Sequence, residues 1–294
     1  MNQFFKAHLA LFVANLIYGI NYSVAKDVMP GYMQPSALVL LRVSGALLLF
    51  WLAARFFVSE KVHKKDLLKL AACGLFGVAV NQMFFLKGLN ITTPINASII
   101  MTTNPILVLI AAGIILKESI TMTKVAGIIL GLSGSVTLLL FKGDFSFGSA
   151  TLPGDLMVLL NAASYGVYLI LVKPLMKKYQ PITVIKWVFL FGLLYVIPFG
   201  YEEFMAVNWT SFPQHIWVEV LFVVLFTTFI AYFLNIFALQ RLSPAVVSFY
   251  LYLQPVFATM IALFYGMDEP DWIKAVSVLL IFAGVYLISK PSVR

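Results

Sequence analysis

The chain has 294 residues, 62% apolar and 11% charged, with a net charge of +8 and a mean hydropathy of +0.97. A soluble domain carries about 25% charged residues, so the apolar excess must face lipid, and no polar stretch is long enough for a separate soluble domain. The positive charge lies between apolar segments, as in the cytoplasmic loops of membrane proteins, and does not indicate nucleic acid.

A spanning helix needs about 20 apolar residues, and ten stretches meet that length. Segment 1 (7–26) carries Asn15, Tyr18 and Tyr22 on one helix face. These polar residues argue against a cleaved leader, although Lys6 and Ser23-Val24-Ala25 imitate one. Segment 2 (35–57) holds Arg42 several residues inside its outer end. An arginine at a helix centre costs about 2.5–3.5 kcal/mol on the insertion scale. The favoured reading is therefore a side chain that snorkels to the outer surface, and the alternative is an anion contact in a cavity. Lys87, at the outer end of segment 3 (67–89), is read in the same way, while Asn81, Gln82 and Phe85 of that segment could hydrogen-bond and stack on a ligand.

Segment 4 (94–116) opens on Thr93-Pro94, an N-cap followed by proline at the first helical position. Pro105 lies mid-membrane, where it removes a hydrogen bond, bends the helix and frees the Met101 carbonyl. Ser98 and Asn104 flank that bend. Segment 5 (122–141) has Gly127 and Gly131, a small-residue face suited to close packing within the bundle. Segment 6 (154–173) repeats the stripe of segment 1 as Asn161, Tyr165 and Tyr168. Segment 7 spans 182–201, and segment 8 (216–239) offers Tyr232 and Asn235. Segment 9 (244–266) repeats segment 4, with Ser243-Pro244, Ser248, Tyr250, Gln254 and the bend at Pro255; segment 10 covers 272–290.

These matches recur at a separation of 150 positions: Pro94 with Pro244, Pro105 with Pro255, Gly134 with Gly284. The chain is thus a duplication, residues 1–145 followed by residues 146–294. Five segments per repeat is odd, so the second copy enters from the opposite face, as in many transporters. With the N-terminus inside, 15 Lys and Arg fall on the cytoplasmic side and 4 on the other, which places both termini in the cytoplasm. The fold class is an all-α membrane protein: ten transmembrane helices in two inverted five-helix repeats around a central cavity.

Several chemistries find no residues. Every Asp and Glu falls at a loop or segment end, so a carboxylate proton relay has no candidate. There is no phosphate-binding loop, H-E-x-x-H helix or G-x-S-x-G elbow, and the reading is not an enzyme. Cys73 is alone, and His8, His63 and His215 are too scattered for a metal site. No cofactor is expected; the partners are a small solute and the bilayer, with the chain a monomer or weak homodimer.

Asn-x-x-Tyr-Gly in segment 1, Arg42, Asn104-Pro105 ahead of Glu118, and the glycines of segment 5 together resemble the EamA-type branch of the drug/metabolite transporter superfamily. The resemblance spans nearly the whole chain. It implies a cavity lined by segments 1, 3, 4, 6, 8 and 9, with 5 and 10 peripheral. It also implies export or exchange of small metabolites, often amino acids, across the cytoplasmic membrane. The four-helix multidrug branch uses a membrane carboxylate in its first helix, and segment 1 here has none. The expected activity is alternating-access export of a neutral or aromatic amino acid or similar metabolite. Its expected contacts are Asn15, Tyr18, Tyr22, Gln82, Phe85, Ser98, Asn104, Asn161, Tyr165, Tyr168, Tyr232, Asn235, Ser248, Tyr250 and Gln254, with Pro105 and Pro255 as hinges. Two other readings are an exchanger of anionic metabolites using Arg42 and Lys87, and a non-transporting assembly or regulatory subunit whose polar stripes pack dry.

Overall fold

The computed structural model describes residues 3–58, 60–140, 149–264 and 271–289. Ser59, Lys142, Asp268, Glu269, Lys290 and Arg294, which entered the boundary and charge readings, lie outside the described residues. Within them are ten helical spans: Gln3–Val28, Pro35–Phe56, Lys64–Ile91, Pro94–Ile115, Met122–Leu140, Leu152–Lys177, Pro181–Met205, Gln214–Leu239, Pro244–Ile261 and Trp272–Ser289. They are the ten segments expected, with ends shifted by a few residues.

The ends are set by local chemistry. Four spans start on proline, at Pro35, Pro94, Pro181 and Pro244. Thr93 and Ser243 cap two of them, accepting from the N–H groups of Asn96 (3.1 Å) and Val246 (3.3 Å). Segments 2 and 7 start on Gln-Pro without a side-chain cap of their own. Each borrows one. Glu203, at the end of segment 7, accepts from the N–H groups of Ser36 (2.9 Å) and Ala37 (3.2 Å). Glu60, just past segment 2, accepts from Gln180 N–H at 3.0 Å. The two helices run antiparallel and a carboxylate closes the pair at both ends, complementing each helix N-terminus.

Lysines do the converse at two C-termini. Lys26 donates to the carbonyls of Leu89 (2.8 Å) and Asn90 (3.1 Å) at the end of segment 3. Lys173 donates to Leu239 (2.6 Å) and Leu242 (2.7 Å) at the end of segment 8. Their charge compensates carbonyls left without an intrahelical donor.

Segment 2 packs on 7 and segment 5 on 10; segment 3 packs on 6 as 1 does on 8, and segment 4 on 6 as 9 does on 1. This pairing is unchanged when each segment of the first half is exchanged for its counterpart in the second. Large apolar side chains such as Leu48, Ile114, Met122 and Leu279 point outward, as lipid contact requires. Between helices, lipid removes the hydrophobic driving force and close van der Waals contact replaces it. Segments 5 and 10 show how: a Cβ on Gly284 would lie 2.7 Å from the Gly127 carbonyl oxygen, and one on Gly134 2.6 Å from that of Ser277. The glycine face of segment 5 is thus used inside the bundle.

The helical ladder is interrupted in four segments. Segment 3 contains a π turn at Leu75–Ala79 and segment 8 one at Val223–Ile230. Segment 4 is broken between Met101 and Asn104, and segment 9 passes through a 3₁₀ turn at Tyr250–Tyr252. The last two lie just before Pro105 and Pro255, as the missing N–H groups dictate. The π turns were not anticipated. Turns of this kind are frequent at functional sites.

Gly284→Ala should lower the thermal unfolding midpoint of the detergent-solubilised protein, since overpacking costs about 1–3 kcal/mol. An unchanged midpoint would mean that segments 5 and 10 part without loss.

Candidate functional site

The four interrupted segments all contribute to one cavity of about 80 Å³ within the bundle, several times the ~10–15 Å³ that one ordered water needs. Segment 1 contributes Tyr18, Asn21 and Tyr22; segment 2, Arg42; segment 3, Asn81, Gln82 and Phe85; segment 4, Met101. Segment 6 adds Asn161 and Tyr165, segment 8 Thr227 and Tyr232, and segment 9 Leu251 and Gln254. Larger hollows lie outside the bundle among side chains such as Leu152, Leu156 and Leu159, a surface suited to lipid tails. Among the described residues no group of His, Cys, Asp and Glu could hold a metal ion.

Arg42 dominates the electrostatics. It is 3% exposed, and its Nε donates to Thr228 Oγ1 at 2.8 Å. That hydroxyl spends its own proton on the Val223 carbonyl, 2.7 Å away in the π turn, so its lone pair is left for the guanidinium. No acidic residue lines the cavity, and Arg42 makes no ion pair among the described residues. A buried charge without a partner is strongly unfavourable. The snorkelling reading is corrected here: the side chain turns into the bundle, where the Thr228 hydroxyl accepts from it.

The walls are phenols and amides tied in chains. Tyr232 accepts from Gln82 Nε2 (3.1 Å) and reaches the Asn81 side-chain oxygen (3.2 Å) and the Gly77 carbonyl (3.3 Å). Asn161 Nδ2 donates to the Asn81 carbonyl at 2.7 Å. Tyr22 and Phe85 meet edge to face, with ring centroids 5.5 Å apart. Toward the side of the N-terminus, Asn235 bridges the cavity floor: it donates to Tyr18 Oη (3.3 Å) and accepts from Tyr165 Oη (3.4 Å).

The EamA-like transporter family matches the chain twice, over residues 5–140 and 152–290. The chain belongs to the EamA-like transporter family. An uncharacterized transporter of Archaeoglobus fulgidus is 28% identical over 286 residues, 96% of each chain. The uncharacterized transporter YyaM of Bacillus subtilis is 24% identical, covering 96% of this chain and 94% of its own. A probable terminal-alkyne amino-acid exporter of Streptantibioticus cattleyicolor is also 24% identical, over 97% of this chain and 94% of its own. One solved crystal structure superposes with a TM-score of 0.76 at 20% identity, covering 96% of both chains, which establishes the shared fold. The protein is a multi-pass membrane transporter.

Within this EamA-like transporter, Tyr18, Tyr22, Gln82, Phe85, Asn161, Tyr165, Tyr232 and Gln254 line the cavity as expected from the sequence. The other expected contacts do not. Asn15 stands one turn away and orients Gln254, accepting from its Nε2 at 3.0 Å. Asn235 lies in the floor. Ser98 and Ser248 return their protons to the Pro94 (2.7 Å) and Ala245 (3.0 Å) carbonyls of their own helices. Asn104 ties segment 4 to segment 6 through the Ala162 carbonyl at 2.5 Å. Tyr250 binds His8 Nδ1 at 2.7 Å. Tyr168 packs its ring on Gly77, where a Cβ would lie 2.3 Å from it. Lys87 is half-buried but not among the lining residues.

Asn21 and Thr227 were not among the expected contacts, and Met101 and Leu251 were expected there only through the backbone carbonyls freed by the prolines. Asn21 precedes Tyr22 and could be found once its helix face was drawn to include both. Thr227 reaches the cavity because the π turn rotates segment 8, and no sequence period signals that. Met101 and Leu251 stand four residues before Pro105 and Pro255, where proline leaves their carbonyls without the usual donor.

Replacing both Pro105 and Pro255 by alanine restores the missing donors and favours straight helices. Vesicle transport should fall at least about tenfold while ligand binding changes little, since closure needs segments that can bend. Wild-type transport in the double variant would make the breaks packing features.

Proposed function

We propose that this transporter exports a small organic solute with one carboxylate and an apolar or aromatic body, in the class of neutral or aromatic amino acids. One observation carries the reading: Arg42 stands buried in an aromatic and amide cavity with no acidic residue beside it. A solute carboxylate supplies the missing counter-charge and accepts from the planar donor fork. The rings of Tyr18, Tyr22, Phe85 and Tyr165 suit an apolar body. The exporter named among the relatives supports the class. Lys87 lies outside the lining, so the cavity offers a single cation, which suits a monoanionic group better than the anionic exchange of phosphate-like solutes. Dry packing, the requirement of a non-transporting subunit, is disfavoured by the water-sized space that separates the stripes of segments 1, 4, 6 and 9.

We also propose that the two matched halves are inverted repeats that alternate access around this cavity, with the chain in the cytoplasmic membrane and both termini inside. The repeated family match, the symmetric pairing of segments and the odd number of segments per half support the inversion. The basic-residue bias supports the orientation.

Arg42→Gln removes the charge while keeping some of the volume. Binding and transport of carboxylate solutes should be lost, about 1,000-fold in affinity for a desolvated charge pair. The thermal midpoint of the empty protein should rise, because an unpaired buried charge is gone. Retained binding would refute the carboxylate reading.

Reporter fusions after Arg294 and beside Lys64 should both report the cytoplasm; a periplasmic signal from either would overturn the orientation.

A further inference from the structure

We infer that the ridge formed by Phe233 and Phe237 on segment 8 holds one anionic diacyl phospholipid, its tails in the grooves on either side and its headgroup on Arg241 and Lys6. The two rings stack with centroids 6.4 Å apart and line two separate hollows on the outside of the bundle. The first, of about 630 Å³, lies among segments 2, 7 and 8, where Phe229, Phe233 and Phe237 form a stripe at four-residue spacing beside Ala53 and Ile182. The second, of about 340 Å³, lies between segments 1 and 8, where Leu9, Ala10 and Val13 accompany the same two rings.

The dimensions suit an acyl chain within one leaflet. From Phe229 to Phe237 the stripe rises about 12 Å, against ~15 Å for half of a hydrocarbon core ~30 Å thick. Both grooves end on the side of the N-terminus, where segments 1 and 7 begin and segments 2 and 8 finish. Each has a cation at that end: Arg241, just past segment 8, for the first, and Lys6, near the start of segment 1, for the second. Phe229 belongs to the π turn that carries Thr228, the acceptor of Arg42, so the first tail packs on a turn that shapes the central cavity.

The charge selects the headgroup. Neither groove is lined by an acidic residue, and neither Arg241 nor Lys6 forms an ion pair among the described residues. Glu60, at the same rim, is taken up by the Gln180 N–H at 3.0 Å. Arg241 is held in place without being neutralised. Its guanidinium carbon lies 4.9 Å from the Phe237 ring centroid, and Nη1 donates to Gln240 Oε1 at 2.8 Å. The remaining N–H donors match phosphate oxygens, which the planar fork binds in pairs. A zwitterionic lipid would bring a further cation to a rim that already has two, whereas an anionic lipid brings none. A single-chain amphiphile fills one groove; a ridge between two grooves fits two chains on one headgroup.

The test titrates the purified full-length protein, in neutral detergent, with three lipids: phosphatidylglycerol, phosphatidylcholine of the same chains, and monoacyl lysophosphatidylglycerol. Thermal midpoint and lipid retained in native mass spectrometry are read together. One phosphatidylglycerol should be retained per chain, at least about tenfold more tightly than either other lipid. Arg241→Gln and Lys6→Gln should each cut the preference over phosphatidylcholine about fivefold, the worth of one basic side chain near a charged surface. Lys64→Gln, outside both grooves, should leave it unchanged. Val13→Trp, which obstructs the second groove, should bring phosphatidylglycerol and its lyso form level. Equal binding of phosphatidylcholine, or an unchanged preference in Arg241→Gln, would overturn the headgroup site. Equal binding of the lyso form to the unaltered protein would overturn the two-tail seat. A midpoint rise with inorganic phosphate as large as that with phosphatidylglycerol would assign Arg241 to a free anion. A dimer that forms without retained lipid and is lost in Val13→Trp would assign the ridge to a second copy. Either result refutes the lipid site.

Discussion

Inside hydrocarbon a backbone can find hydrogen-bond partners only in the protein itself. This constraint makes the chain helical and makes each departure from the helix informative. The ladder is interrupted in segments 3, 4, 8 and 9, and all four face one cavity. Side chains take over where backbone partners fail: Thr228 serves the Val223 carbonyl, Tyr232 serves Gly77, and Ser164 serves Phe76 at 2.5 Å.

The interruption in segment 8 also allows a buried cation to be held without an acid. The π turn brings Thr228 to Arg42, and its hydroxyl is committed so that it accepts from the guanidinium. A carboxylate in that place would neutralise Arg42 permanently and leave nothing for a solute to satisfy. A neutral acceptor fixes the direction of the side chain and leaves its charge available.

Much of this was legible in the sequence. Segment number, span ends and both breaks follow from apolar run length and from proline, whose effects are local. The lining residues on the stripes of segments 1 and 6 were legible through helical spacing. What failed was non-local. Whether Ser98 or Asn104 turns to a cavity or to a neighbouring carbonyl depends on helix rotation, which a few residues of π or 3₁₀ geometry alter. Arg42 was misread because an insertion cost says that an arginine needs a polar partner, but not on which side the partner stands. Tyr168 shares its stripe with Tyr165, yet its ring is taken up by Gly77, a glycine whose role shows only when segments 3 and 6 are packed together.

The reciprocal carboxylate caps on segments 2 and 7 carry a consequence for mechanics. Each cap sits at the opposite end of an antiparallel pair that takes one helix from each half. Tethered at both ends, the pair can neither slide nor splay without releasing a charge-assisted bond, so it behaves as a single strut. Arg42 rides on that strut. The segments with broken ladders, which can lengthen, shorten or swivel, stand around it. Arg42 thus lies on the pair that is capped at both ends, and the interrupted segments 3, 4, 8 and 9 line the cavity beside it.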